Sequence, residues 1–173
     1  GASPATELSS HMSRLDSFIR RLKAQRACID AAVQAISSKP GLVLEVGLGN
    51  GRTYHHLLEN LSGRRIVVFE RDPQPHPDCW PPSEDLMVGD LGETLPAAAR
   101  NWPGGAALIH SDIGTGDAER NRRVAAMLSK LFPPLLMPNG IVVSDQELTA
   151  DTLELLPLPS GVGSGRYFIY RRR

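Results

Sequence analysis

Apolar and small residues recur at Leu15, Phe18, Leu22, Ile29, Ala32 and Ile36. These spacings of three, four and seven predict one long amphipathic helix over 13–37. Ser13 can cap its first amides, and Asp16, three residues on, suits the positive end of a helix. Arg14, Arg20, Arg21 and Arg26 fill other faces, and Pro40-Gly41 closes the segment.

The pattern then changes period. "LVLEV" (42–46) is a short apolar run, as expected of a strand buried on both faces. Residues 53–61 read as a helix stopped near Ser62-Gly63, and "IVVFE" (66–70) as a second strand. "DLMVGD" (85–90) contains a third strand, and 94–102 is a short helix with Thr94 as its cap. "AALIHSD" (106–112) is a fourth strand, 117–132 a helix ending at Pro133-Pro134, and "GIVVSD" (140–145) a fifth strand. Residues 152–158 and 166–172 read as two last strands joined by a Gly/Ser-rich turn. "RDPQPHPDCWPP" (71–82) is a long, stiffened loop.

Strands alternating with helices imply a doubly wound, mostly parallel seven-stranded α/β sheet with an antiparallel hairpin at one edge. Residues 13–173 form a single domain, with a helix over 13–38 and a core over 40–173. Residues 1–12 are expected to be a flexible N-terminus or a cleavage remnant outside the fold. Between the fifth strand and 152–158 only about seven residues remain, too few for a covering helix. A partly bare sheet face, or the helix at 13–37, is therefore expected to form a homo-oligomeric contact.

Composition narrows the function. The chain of 173 residues carries 19 basic and 19 acidic side chains, a net charge of zero. That balance speaks against a nucleic-acid or membrane surface. The run Arg171-Arg172-Arg173 reads as a solvated tail. The two cysteines, Cys28 and Cys79, lack metal-type spacing and suit a reducing, cytoplasmic setting.

The chemistry concentrates in "LEVGLGNGRTYHHL" (44–57). Gly47, Gly49 and Gly51 follow a buried strand and precede a helix, so backbone amides can approach a ligand with no Cβ in the way. Glu45 stands two residues before them, and Glu70 ends the next strand. In such a sheet both fall at the carboxyl edge, beside the crevice where ligands bind.

With these residues the sequence resembles the class I S-adenosylmethionine-dependent methyltransferases, whose fold is Rossmann-like. "LEVGLGNG" matches the family's acid-x-Gly-x-Gly-x-Gly motif, and "VVFERD" resembles its ribose-binding motif, with Glu70 as the acid. "VGDLGETLP" resembles the segment whose aspartate and next residue, here Asp90 and Leu91, border the adenine. "LMPNGIVVSD" is similar to the stretch leading into the fifth strand. The resemblance implies a cofactor, S-adenosyl-L-methionine, held by Glu45, Gly47, Gly49, Gly51, Tyr54, Glu70, Arg71, Asp90, Leu91 and Asp112. Glu45 would face the methionine amino group, and Tyr54 its carboxylate end. The partner would be a small-molecule methyl acceptor, with Asp112 as general base and His110 a second candidate. The acceptor site would come from helix 13–37, the Pro-rich loop and residues 113–121.

Two alternatives sit beside this reading. One is aminopropyl transfer from decarboxylated cofactor, and the other a non-catalytic cofactor-binding protein. Asp112 with Asp145-Gln146 also resembles the Mg²⁺ ligand positions of catechol-type relatives. Gln is longer than the Asn found there, and single carboxylates at strand ends are common, so no metal is assigned.

Overall fold

The protein, described here as a computed structural model over residues 12–173, is built on one seven-stranded sheet. The flexible segment expected at 1–12 lies, apart from Met12, outside the described residues. In chain order the elements are α1 (Arg14–Ala35), β1 (Leu42–Val46), α2 (Arg52–Asn60), β2 (Ile66–Glu70) and β3 (Leu86–Val88). They continue with α3 (Leu91–Asn101), β4 (Ala106–Ser111), α4 (Ala118–Leu131), β5 (Leu136–Ser144), β6 (Leu153–Leu156) and β7 (Phe168–Arg172). The strand order is β3-β2-β1-β4-β5-β7-β6. The first five strands run parallel, and β7 inserts antiparallel between β5 and β6. Strand order thus turns at β1 and β4, which places the ends of those two strands at the crevice.

Ser13 caps α1 by accepting the Asp16 amide at 3.0 Å, as its position suggests. α3 starts earlier than expected. Asp90, not Thr94, is its cap and accepts the Gly92 amide at 2.8 Å, so the helix begins at Leu91. A carboxylate also suits the positive end of the helix better than a threonine hydroxyl. β5 begins four residues before the expected position. Asn139, in a left-handed conformation at φ 64°, and Gly140 belong to a bulge that interrupts the pairing with β4 rather than to a turn before the strand.

The sheet is covered on both faces. On one, Cys28, Ile29, Ala32 and Ile36 of α1 join Tyr54 and Leu57 of α2 over Val43, Val68, Leu108, Ile141, Val143 and Ile169. On the other, Leu95 and Ala98 of α3 and Ala125 and Leu128 of α4 cover Leu44, Phe69, Ile109 and Val142. The bare face expected beside β5 does not exist, because α1 reaches across it. The argument for self-association through that face falls with it. Exposed apolar residues remain on the first turns of α1, at Leu15, Phe18 and Ile19. The basic C-terminus is not a loose tail. Arg171 pairs with Glu154 at 3.0 Å, and Arg172 donates to the Leu136 carbonyl at 3.0 Å.

Candidate functional site

The glycine turn fills residues 47–51 between β1 and α2. At Gly47 (φ 91°) a Cβ would stand 2.8 Å from Ile113 Cγ2 and 2.9 Å from the Asp112 carbonyl oxygen. This glycine therefore lets the chain leaving β4 press against the chain leaving β1. At Gly51 (φ 92°) a Cβ would stand 2.5 Å from Cys79 Cβ, so this glycine seats the Pro-rich loop. That loop is also tied back by the His76 amide, which donates to the Asn50 carbonyl at 2.9 Å. Gly49 is different: it is exposed, and nothing lies within 4 Å of its would-be Cβ.

Glu70, at the end of β2, holds this turn from the side. Its Oε1 accepts the amides of Leu48 at 3.1 Å and Gly49 at 3.4 Å, and its Oε2 accepts the Asp72 amide at 3.1 Å. Oε2 keeps one acceptor position for a further donor. A cavity of about 320 Å³ opens beside it. Gly47, Gly49, Glu70, Arg71, Asp90 and Leu91 line it, with Phe69, Val124 and Met127 as apolar wall and Asp112 and Ile113 at the far end. The wall from α4 comes from residues the motifs do not mark, including Arg120.

Asp112 and the turn glycines also line a second hollow, bounded by Arg21, Leu22 and Gln25 of α1, by Arg52 and Thr53 of α2, and by Tyr167. Gln25, nearly buried, donates its amide to Asp112 Oδ2. Gln25 lies three residues past Leu22 and four before Ile29, on the apolar stripe of α1. A polar side chain on a buried stripe was the available signal for it. Of the Pro-rich loop only its first residue, Arg71, lines either hollow, fewer than expected, and Cys79 packs behind Gly51 instead.

Asp145, after β5, accepts the Gly114 amide at 2.8 Å and the Ile113 amide at 3.4 Å, and so anchors the loop leaving β4. Partial burial raises the Asp112 carboxyl, the Asp145 charge raises it further and His110 pulls it back, leaving it at about 6. Burial likewise pushes the Tyr167 hydroxyl up, and the Asp112 charge adds to that.

Two of the predicted cofactor residues line neither hollow. Glu45 is fully buried beneath the turn. It accepts a hydrogen bond from the Thr53 hydroxyl at 3.0 Å and pairs with His110 Nδ1. Its oxygens serve the protein rather than an open space, because a buried carboxylate needs partners. Tyr54 is also buried. It packs in the core under α1 and α2 rather than facing the ligand side of the turn.

The model of one protein family, described as S-adenosyl-L-methionine methyltransferase, matches residues 12–172. The chain belongs to that family. An S-adenosyl-L-methionine methyltransferase from Silicibacter pomeroyi DSS-3 is 47% identical, covers 94% of this chain and 100% of its own, and superposes with a TM-score of 0.89. Human methyltransferase-like protein 13, in complex with S-adenosylhomocysteine, is 14% identical over 94% of this chain and 82% of its own, with a TM-score of 0.53. The antibiotic-resistance methyltransferase Kmr is 12% identical over 85% of this chain and 92% of its own, also at 0.53. These last two share the fold. Among curated proteins no match is found.

The methyltransferase uses S-adenosyl-L-methionine, and the cavity suits it. Gly49 leaves open space beside bare backbone, Glu70 Oε2 presents one unused acceptor position, and Phe69, Val124 and Met127 supply an apolar wall. Among the described residues no cluster of three or more His, Cys, Asp or Glu stands in metal-ligating geometry. Both oxygens of Asp145 already accept backbone amides.

Proposed function

We propose that this methyltransferase acts on a small-molecule acceptor in a reducing, cytoplasmic setting, with Asp112 as the group that takes the acceptor's proton. One observation carries the reading. The cavity beside Glu70 and the hollow under α1 share Gly47, Gly49 and Asp112, so cofactor and acceptor spaces meet at one carboxylate. Cys28 and Cys79 stand unpaired, in keeping with such a compartment.

S-adenosyl-L-methionine, when bound, supplies a methyl group on a positively charged sulfonium with a good leaving group. Glu70 would accept the ribose hydroxyls while it keeps the turn in place. Asp90 and Leu91 would border the adenine, and Arg71 would close the slot above the ribose. The amides of 47–51 and the Thr53 hydroxyl bound the methionine end. Glu45 acts at one remove, by fixing Thr53 and His110. Asp112 would orient an acceptor hydroxyl or amine and remove its proton as the new bond forms. Gln25 positions Asp112 by holding one of its oxygens.

The test is to incubate the protein with S-adenosyl-L-methionine labelled in its methyl group and a cell extract separated by size. Label in the low-mass fraction, lost in Asp112→Asn, supports the reading. Label confined to RNA or protein overturns the small-molecule acceptor.

A further inference from the structure

The hollow under α1 does not end at Gln25. It continues between α1 and α2 as a groove of about 320 Å³, sharing Leu22, Gln25, Arg52 and Thr53 with the hollow that Asp112 lines. Its floor is apolar, from Ile19, Leu22 and Ile29. Its rim is cationic, from Lys23, Arg26 and Arg52, with Arg21 at the Asp112 end.

None of these four cations joins an ion pair with any described residue. Arg21 lies over the face of Phe18, 5.2 Å from its centre. Asp30, on the same helix, is paired with His56 at 2.7 Å. Four basic side chains that form no ion pair with a described residue thus border one groove. The cofactor brings one carboxylate, together with an ammonium and a sulfonium. It leaves most of this positive charge unmet. An anion would complement this rim, and the apolar floor favours one with an apolar body.

We propose that the methyl acceptor is an amphipathic anion, a small carboxylate or phosphate ester whose apolar part lies on Ile19, Leu22 and Ile29 and whose charged group meets Lys23, Arg26 and Arg52. This rests on Asp112 being the place where acceptor and cofactor meet. The groove is short and its floor apolar, which fits a small molecule better than a nucleic-acid backbone. A nucleic acid would need a long basic track. The exposure of Ile19 on a turn of α1 is then explained, as one wall of a binding groove.

The experiment uses the full chain saturated with S-adenosylhomocysteine. Octanoate, octyl phosphate, octanol and a short single-stranded RNA are each titrated at low and at moderate salt, with the unfolding midpoint and calorimetry as readouts. Octanoate or octyl phosphate is expected to bind, more weakly as salt rises, and octanol at least tenfold more weakly. The preferred headgroup identifies the anion as carboxylate or phosphate. In Lys23→Gln/Arg26→Gln the anion's affinity is expected to fall at least tenfold while S-adenosylhomocysteine still binds, which shows that the variant is folded. Equal binding of octanol, no binding of either anion, or tighter binding of the RNA overturns the proposal and leaves the cofactor site intact. Failure of S-adenosylhomocysteine itself to bind overturns the underlying reading of the site, and this one with it.

Discussion

Glu45 and His110 face each other across neighbouring parallel strands, with Glu45 Oε1 against His110 Nδ1 and both side chains sealed from solvent. Burial works against charge on the ring, but the Glu45 carboxylate outweighs it, so His110 is held above its ordinary value of 6.5. Truncating His110 to Ala leaves a buried carboxylate with only the Thr53 hydroxyl, and is expected to cost about 3–5 kcal/mol. Glu45→Gln leaves a neutral amide and should cost less. The folded ring binds its proton more tightly than the unfolded ring. The pair's stabilisation is therefore complete below 6.5 and is lost as pH rises through the raised value. Urea midpoints measured at several pH values should show the gap between wild type and Glu45→Gln narrowing as pH rises. A gap that widens contradicts the pairing.

Gly51 and Gly49 separate two uses of glycine. Both take left-handed backbone, which costs a non-glycine residue about 1–2 kcal/mol. At Gly51 a methyl would also collide with Cys79, so Gly51→Ala is expected to lower stability by more than that and to loosen the Pro-rich loop. At Gly49 there is no collision, so Gly49→Ala should cost only the backbone term. Denaturant unfolding of the two variants checks the order. Equal losses would mean that the loop does not rest on Gly51.

The α/β alternation, the helix at α1 and the edge hairpin were legible because period and punctuation agreed: Ser13 at a start, Pro40-Gly41 at a stop, β-branched runs between. Of the three glycines, the motif marked a ligand turn, yet two serve close approach to other chain segments. Such contacts come from residues far along the chain, Ile113 and Cys79, and no local pattern reports them. Glu45 was visible as an acid beside the turn, but its partner His110 lies 65 residues away and is brought to it only by strand register. Reading residues 145–152 as too short for a covering helix was sound. What local pattern could not convey was that a helix from the other end of the chain does the covering. The same event brings Gln25 to Asp112, a contact no local pattern reports even though helix 13–37 was expected to border the acceptor.

Glu70 has two tasks, and they can be separated. Its carboxylate holds the Leu48 and Gly49 amides before any ligand arrives. A charged acceptor of this kind contributes about 1.5–3 kcal/mol. Glu70→Ala should therefore weaken S-adenosylhomocysteine binding by roughly tenfold to a hundredfold, both from lost ribose contacts and from a loosened turn. Glu70→Gln retains one acceptor oxygen for the turn and should fall between. Calorimetric titration decides it. Unchanged affinity in the alanine variant would remove Glu70 from the site.

Asp112 supplies the pH test of the mechanism. Its carboxyl titrates at about 6, raised first by burial and next by the nearby charge of Asp145. As a base it works only when ionised, so the rate with a saturating acceptor should rise with pH through about 6 and then level. Asp145→Asn removes the neighbouring charge, and an amide oxygen can still accept the Gly114 amide. The rising limb is then expected to move to lower pH with the turn preserved. Asp112→Asn should lower kcat by about 10²–10⁴-fold, with S-adenosylhomocysteine binding little changed. Stability supplies an independent sign. The folded carboxyl holds its proton more readily than the ordinary value of 3.8, so the folded state binds more protons between 3.8 and about 6. Stability owed to this group must fall as pH rises across that window, and the fall should vanish in Asp112→Asn. A rate limb that stays in place when Asp145 is neutralised would show that the titrating group is not Asp112.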